Sequence, residues 1–185
     1  MLDHLGVGPW TEQGYFDLGE THPRIELIDG SLLVTPAGDL SHQLIAFELA
    51  TELDGAARAA GLVVYPGVNV RLGPDRILIP DIVVAEADDE GLAVEAADVR
   101  LVCEIVEPVS AVADQVTKPR LYADAGIRYY LLAYGPAADL ALRLFRLRGA
   151  DYVQVAEEQS GQISRLIEPA FADLPRGPTL PQHDR

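Results

Sequence analysis

Two apolar runs, each with a carboxylate set among its aliphatic residues, constrain this chain more than anything else in it. Ile77-Leu78-Ile79-Pro80-Asp81-Ile82-Val83-Val84 and Leu101-Val102-Cys103-Glu104-Ile105-Val106 both read as buried strands. A carboxylate stranded among Ile, Val and Leu is costly unless something cationic meets it. A third stretch, Asp114-Gln115-Val116-Thr117-Lys118-Pro119-Arg120-Leu121-Tyr122, supplies Lys118, the single lysine beside thirteen arginines. Asp81, Glu104 and Lys118 are read as one site. The competing reading gives each acid its own structural salt bridge with an arginine.

Around these runs the pattern is mixed. Thr11 caps a short helical turn after Trp10, and Arg24–Ile28 and Ser31–Val34 flank Asp29-Gly30, the strongest short hairpin signal. From Leu40 to Ala60 the period is helical, with Ile45, Leu49, Leu53 and Ala57 on one stripe and Leu44 and Phe47 widening it. Asp39 or Ser41 caps that helix and Gly61 ends it. Residues 62–72 return to extended structure, broken at Pro66-Gly67, and Gly73-Pro74-Asp75 turns into the Asp81 run. Residues 86–100 read as an acidic surface excursion with a helical turn. Thr117 caps a second helix, because Pro119 is tolerated only in a first turn. Strands follow at 127–134, 140–147 and 152–156, and the tail 169–185 reads as extended. The fold class is α/β, an α+β mixed sheet flanked by helices, in one domain over 1–185: an entry at 1–23, a core at 24–160, then the tail.

Composition narrows the chemistry. A net charge of −15 argues against tight, non-specific nucleic-acid binding at long range. Screening beyond ~8 Å leaves room for a local basic rim. Cys103 is alone, which excludes an internal disulfide, and it reads as a small buried hydrophobe in a cytoplasmic, reducing setting. No run approaches the ~20 apolar residues of a membrane span, and no signal peptide is visible. Gly-x-Gly-x-x-Gly and P-loop patterns are absent, as is any His/Cys zinc cluster. Two hard carboxylates close together instead suit Mg²⁺ or Mn²⁺. Glu26, between Ile25 and Leu27, belongs either to the solvent side of its strand or to the site. His42 sits in its helix's first turn, near a site or simply in the cap region, and Asp114 either fixes Lys118 or caps.

These stretches together resemble the PD-(D/E)xK nuclease superfamily. The simple pattern fails at Val106, where the lysine would stand. The closer resemblance is to the Uma family of restriction-endonuclease-like proteins, in which the lysine has moved to the following helix. It rests on Arg24-Ile25-Glu26-Leu27-Ile28-Asp29-Gly30, His42, Pro80-Asp81, Val102 to Pro108, Asp114 to Lys118 and Leu121 to Ile127, and spans roughly residues 10–160. The resemblance implies a restriction-endonuclease-like core and a metal-dependent endonuclease acting on DNA. Asp81 and Glu104 would hold Mg²⁺ (or Mn²⁺), Lys118 would position the attacking water, and the product would carry a 5′-phosphate. Glu26 would be an accessory acid and Tyr122 a packing residue. Where the family usually has a small hydroxyl residue, this chain has Glu107. The alternative is a non-catalytic homodimeric binding module on the same fold, with Tyr129-Tyr130-Leu131-Leu132 in the core or at an interface. Arg143, Arg146 and Arg148 are read as phosphate contacts or, more ordinarily, as an exposed face, and His4, His22 and His183, towards the ends of the chain, take no role.

Overall fold

A computed structural model describes residues 8–19, 23–36, 38–86, 90–107, 113–136 and 139–159. His4, His22, His183, Pro108 and the tail 169–185 lie outside these, as does the side chain of Asp114. The elements run α1 (Glu12–Phe16), β1 (Arg24–Ile28), β2 (Ser31–Thr35), α2 (Leu40–Ala59), β3 (Val63–Pro66), β4 (Val70–Gly73), β5 (Arg76–Leu78) and β6 (Ile82–Ala85). There follow β7 (Val94–Glu95), β8 (Val99–Ile105), a π-helical turn (Ala113–Thr117), α3 (Lys118–Asp124), β9 (Tyr129–Tyr134), β10 (Ala141–Arg148) and β11 (Asp151–Gln159).

The strands make two mixed sheets rather than one. The smaller has the order β2-β1-β5-β4-β7, the larger β11-β10-β9-β8-β6-β3. The Asp81 run is therefore not a single strand. Its first part, β5, pairs with β1 and β4, while β6 pairs with β3 and β8. Ile79, Pro80 and Asp81 carry the chain from one sheet to the other. Pro80 offers no amide to a ladder, so a break there is the natural outcome.

Helix α2 covers one face of the larger sheet. Its Ile45, Leu49, Leu53 and Ala57 pack on Ile82, Val84, Leu101, Cys103 and Leu131. Leu44 and Phe47 do not widen that stripe, being 49% and 70% exposed. They lie on the flank of the helix that looks away from the sheet. On the opposite face of the sheet, Val83, Val102, Tyr130 and Leu132 meet Tyr122 and Ile127 from the α3 region and Val70 and Leu78 from the smaller sheet. Tyr129–Leu132 is core throughout. The smaller sheet turns its other face to α1, where Tyr15 packs on Ile25, Leu27 and Ile77.

Local signals explain most boundaries. Asp29 and Gly30 have φ of 50° and 78°, the two left-handed residues that a tight two-residue hairpin needs. Thr11 caps α1 through its side chain, and Asp39, not Ser41, caps α2 by accepting the His42 amide at 2.9 Å. Thr117 does precede α3, but its hydroxyl makes no capping bond, because the chain enters from a π-helical turn already wound. Within 90–98 the structure places β7 in parallel with β4, so the helical turn expected near there is replaced by a short strand and a turn. No helix among the described residues is long and apolar enough to cross a membrane.

Candidate active site

Pairing of β6 with β8 matches Ile82 to Cys103, so the next step of that antiparallel register sets Asp81 level with Glu104 at the end of the larger sheet. Neither residue is exposed to any extent that matters. Strand β1 approaches from the smaller sheet. Its Ile25 and Leu27 face α1, so Arg24 and Glu26, by the two-residue alternation, face the larger sheet together with Ile28. Both faces of β1 are covered, and the solvent-side reading of Glu26 fails for that reason: it is 0% exposed. The first turn of α2 brings His42, and the first residue of α3 is Lys118.

The side chains form two linked halves. In one, Lys118 Nζ stands 3.1 Å from Glu104 Oε1 and 3.4 Å from Glu26 Oε1. Tyr122 donates its hydroxyl to the same Glu104 oxygen at 2.5 Å. Tyr122 thus does more than the packing expected of it, though it also packs against Tyr130. In the other half, Asp81 accepts from Arg24 Nη1 at 2.8 Å through Oδ1, while Oδ2 accepts the Ile105 amide at 2.8 Å and faces His42 Nε2 at 3.2 Å. Backbone ties the halves together. Ile79 donates its amide to Glu26 Oε1 at 2.8 Å and accepts from Arg24 Nη1 at 3.2 Å. Glu26 Oε2 and His42 Nδ1 are buried with no hydrogen-bond partner among the described residues.

Electrostatics follow from this wiring. Burial works to raise the Asp81 carboxyl, but the His42 hydrogen bond, the Arg24 charge and the Ile105 amide outweigh it and hold it at about 2. His42 is raised above the ordinary imidazole value by its bond to Asp81, against burial, with the charges of Asp81 and Glu107 adding to the effect and Arg24 opposing it. Glu107 is therefore felt inside the cluster. Burial, then the neighbouring Glu104 and Glu26 charges, pushes the Tyr122 hydroxyl well up, so it stays a donor. Burial also pushes the Cys103 thiol well up, which fits a packing role.

All four expected residues, Asp81, Glu104, Lys118 and Glu26, are thus brought together. Sequence reasoning missed Arg24 and undervalued His42. Both contact Asp81 from far along the chain, and only the tertiary fold reveals it. Arg143 instead pairs with Glu157 and lies over Tyr134, and Arg146 lies over Tyr129, away from this cluster.

Two mixed sheets flanked by helices, with acids and a lysine gathered where the sheets meet, define a restriction-endonuclease-like α+β protein. The sequence model of the Uma2 family, described as "Putative restriction endonuclease", matches residues 13–175, and the chain belongs to that family. The fold is also that of a crystal structure described as "a putative nuclease" from Anabaena variabilis. The two agree with a TM-score of 0.62 at 17% sequence identity, over 82% of this chain and 84% of that one. No curated protein sequence matches the chain.

Proposed function

We propose that this protein is a divalent-metal-dependent endonuclease that hydrolyses DNA phosphodiester bonds at the cluster of Asp81, Glu104, Lys118 and Glu26. One observation carries the reading. Among the described residues the buried polar or charged side chains are Glu26, His42, Asp81, Glu104 and Lys118, and all five belong to this single cluster. Scattered structural salt bridges have no reason to gather so. A site that must manage charge does.

The donor set fits a small hard cation. Glu26, Asp81 and Glu104 set three carboxylates against the full charges of Arg24 and Lys118, and Glu26 Oε2 has no hydrogen-bond partner among the described residues. No group of three or more His, Cys, Asp or Glu side chains is arranged to hold a metal among those residues. Carboxylate oxygens are the donors that Mg²⁺ or Mn²⁺ take, one or two at a time, with water and substrate oxygens completing the shell. Asp81 and Glu104 would be the ligands. A cation held by them would supply hydroxide near neutral pH and would offset charge on the phosphoryl group.

The chain's own residues do the rest. Arg24, His42 and the Ile105 amide keep Asp81 ionised. Tyr122 orients Glu104, and Glu26 holds the Lys118 ammonium at its place beside Glu104. From there Lys118 orients the attacking water and opposes the negative charge that grows on the phosphoryl oxygens. A buried, single cysteine suits action in the cytoplasm.

Cleavage of supercoiled plasmid in Mg²⁺ or Mn²⁺ tests this. Wild type is expected to nick and linearise it, and Asp81→Asn, Glu104→Gln and Lys118→Gln to lose that activity. Plasmid left intact by wild type with both metals overturns the reading. A second reading, a non-catalytic homodimeric module, is favoured by one feature: Leu40, Leu44 and Phe47 lie exposed along one side of α2, a surface suited to a second copy.

A further inference from the structure

The cluster holds two basic side chains, and they differ in what can reach them. The Lys118 side chain is 6% exposed and pairs with the carboxylates of Glu26 and Glu104. The Arg24 side chain is 25% exposed while its partner Asp81 is 3% exposed. Its hydrogen bonds, to Asp81 Oδ1 and Ile79 O, both leave from Nη1. A guanidinium carries five N–H donors in a rigid plane. Nε and Nη2 of Arg24 have no hydrogen-bond partner among the described residues.

We infer that Arg24 is a phosphate-binding residue of this site, which keeps Nη1 on Asp81 and presents its remaining donors to the backbone of the bound nucleic acid. The inference rests on the nuclease reading and adds a substrate contact to it. Three physical points support it. A chain of net charge −15 repels a polyanion at a distance, so approach depends on a cation that solvent can reach rather than a buried one. A planar fork matches phosphate oxygens as an ammonium does not. The bond to Asp81 and Ile79 also fixes the guanidinium beforehand, so little side-chain freedom remains to be lost on binding.

The bland alternative is that Arg24 only neutralises Asp81, and Asp81→Asn separates the two because it removes the charge to be neutralised. Binding of a short fluorescent DNA duplex is followed by anisotropy in EDTA, for Asp81→Asn alone and combined with Arg24→Gln or Arg24→Lys. Each double variant is first checked for a cooperative urea transition. Arg24→Gln is expected to weaken binding about tenfold or more. The slope of log affinity against log salt should shrink by about 0.9, one phosphate contact. Arg24→Lys should fall between, and it carries the test if the Gln variant does not fold. Equal affinities and slopes overturn the inference while leaving the nuclease reading intact. No binding by Asp81→Asn also overturns it. Plasmid cleavage by wild type decides the nuclease reading separately.

Discussion

Lys118 Nζ lies 3.4 Å from Glu26 Oε1, the oxygen that also accepts the Ile79 amide. One carboxylate of the smaller sheet thus holds a helix-borne cation and a stretch of crossing backbone at once. Removing the cation leaves two buried acids facing each other. Lys118→Met should cost about 3–5 kcal/mol, the usual penalty for breaking a buried pair. Adding Glu26→Gln should recover part of it. Urea unfolding of the two singles and the double gives the coupling, and additive effects would show that the pair does not interact.

Asp81 makes a signed pH prediction. Its folded value, about 2, lies below its ordinary value of 3.8, so its contribution is present above pH 3.8 and lost as pH falls through 2. That contribution is about 2 kcal/mol. Stability measured from pH 5 to 2 should fall less steeply in Asp81→Asn than in wild type.

His42 runs the other way. Its folded value is raised, so its contribution is complete below the ordinary 6.5 and disappears as pH rises through the folded value. An NMR titration should place the wild-type imidazole above 6.5. In Asp81→Asn it should move down, since the hydrogen bond that is the largest cause of the rise has lost its charge.

Metal binding to the native state must raise Tm. At a hundredfold excess over Kd the gain is about 2.7 kcal/mol. Wild type should show this in Mg²⁺ or Mn²⁺, and Asp81→Asn with Glu104→Gln should not. A melting curve indifferent to both ions in wild type removes Asp81 and Glu104 as ligands.

The two flanks of α2 predict opposite outcomes. Phe47→Ser should change monomer stability by no more than about 0.5 kcal/mol, as for an ordinary surface site. Leu49→Ala, wholly inside, should cost about 2–5 kcal/mol. If Phe47→Ser also dissociates a dimer in sedimentation, the homodimer reading gains its interface.

Sequence logic reached the local features well. Asp29-Gly30 demanded a hairpin because both residues must be left-handed, and the four-residue spacing of Ile45, Leu49, Leu53 and Ala57 defined the buried stripe. It could not say where that stripe ends, because an apolar residue beside it, such as Leu44, looks the same buried or exposed. Nor could it split residues 77–84 between sheets, since apolar character reports burial and not the neighbour. The acids and the lysine were legible as anomalies: a charge in an aliphatic run, and the one ammonium of the chain. Arg24 was not, because nothing in its immediate surroundings marks it, and His42 was legible only as one of two readings, since a first-turn histidine serves a site or a cap alike.

The crossing at Ile79–Asp81 has one more consequence. Arg24 and Glu26 belong to one hydrogen-bonded unit, and Glu104 to the other, with Asp81 at the entry to the second. Fraying of the small unit would scatter the chemistry while the large one still looked native to far-UV circular dichroism. Inactivation by heat or mild denaturant should therefore run ahead of global melting.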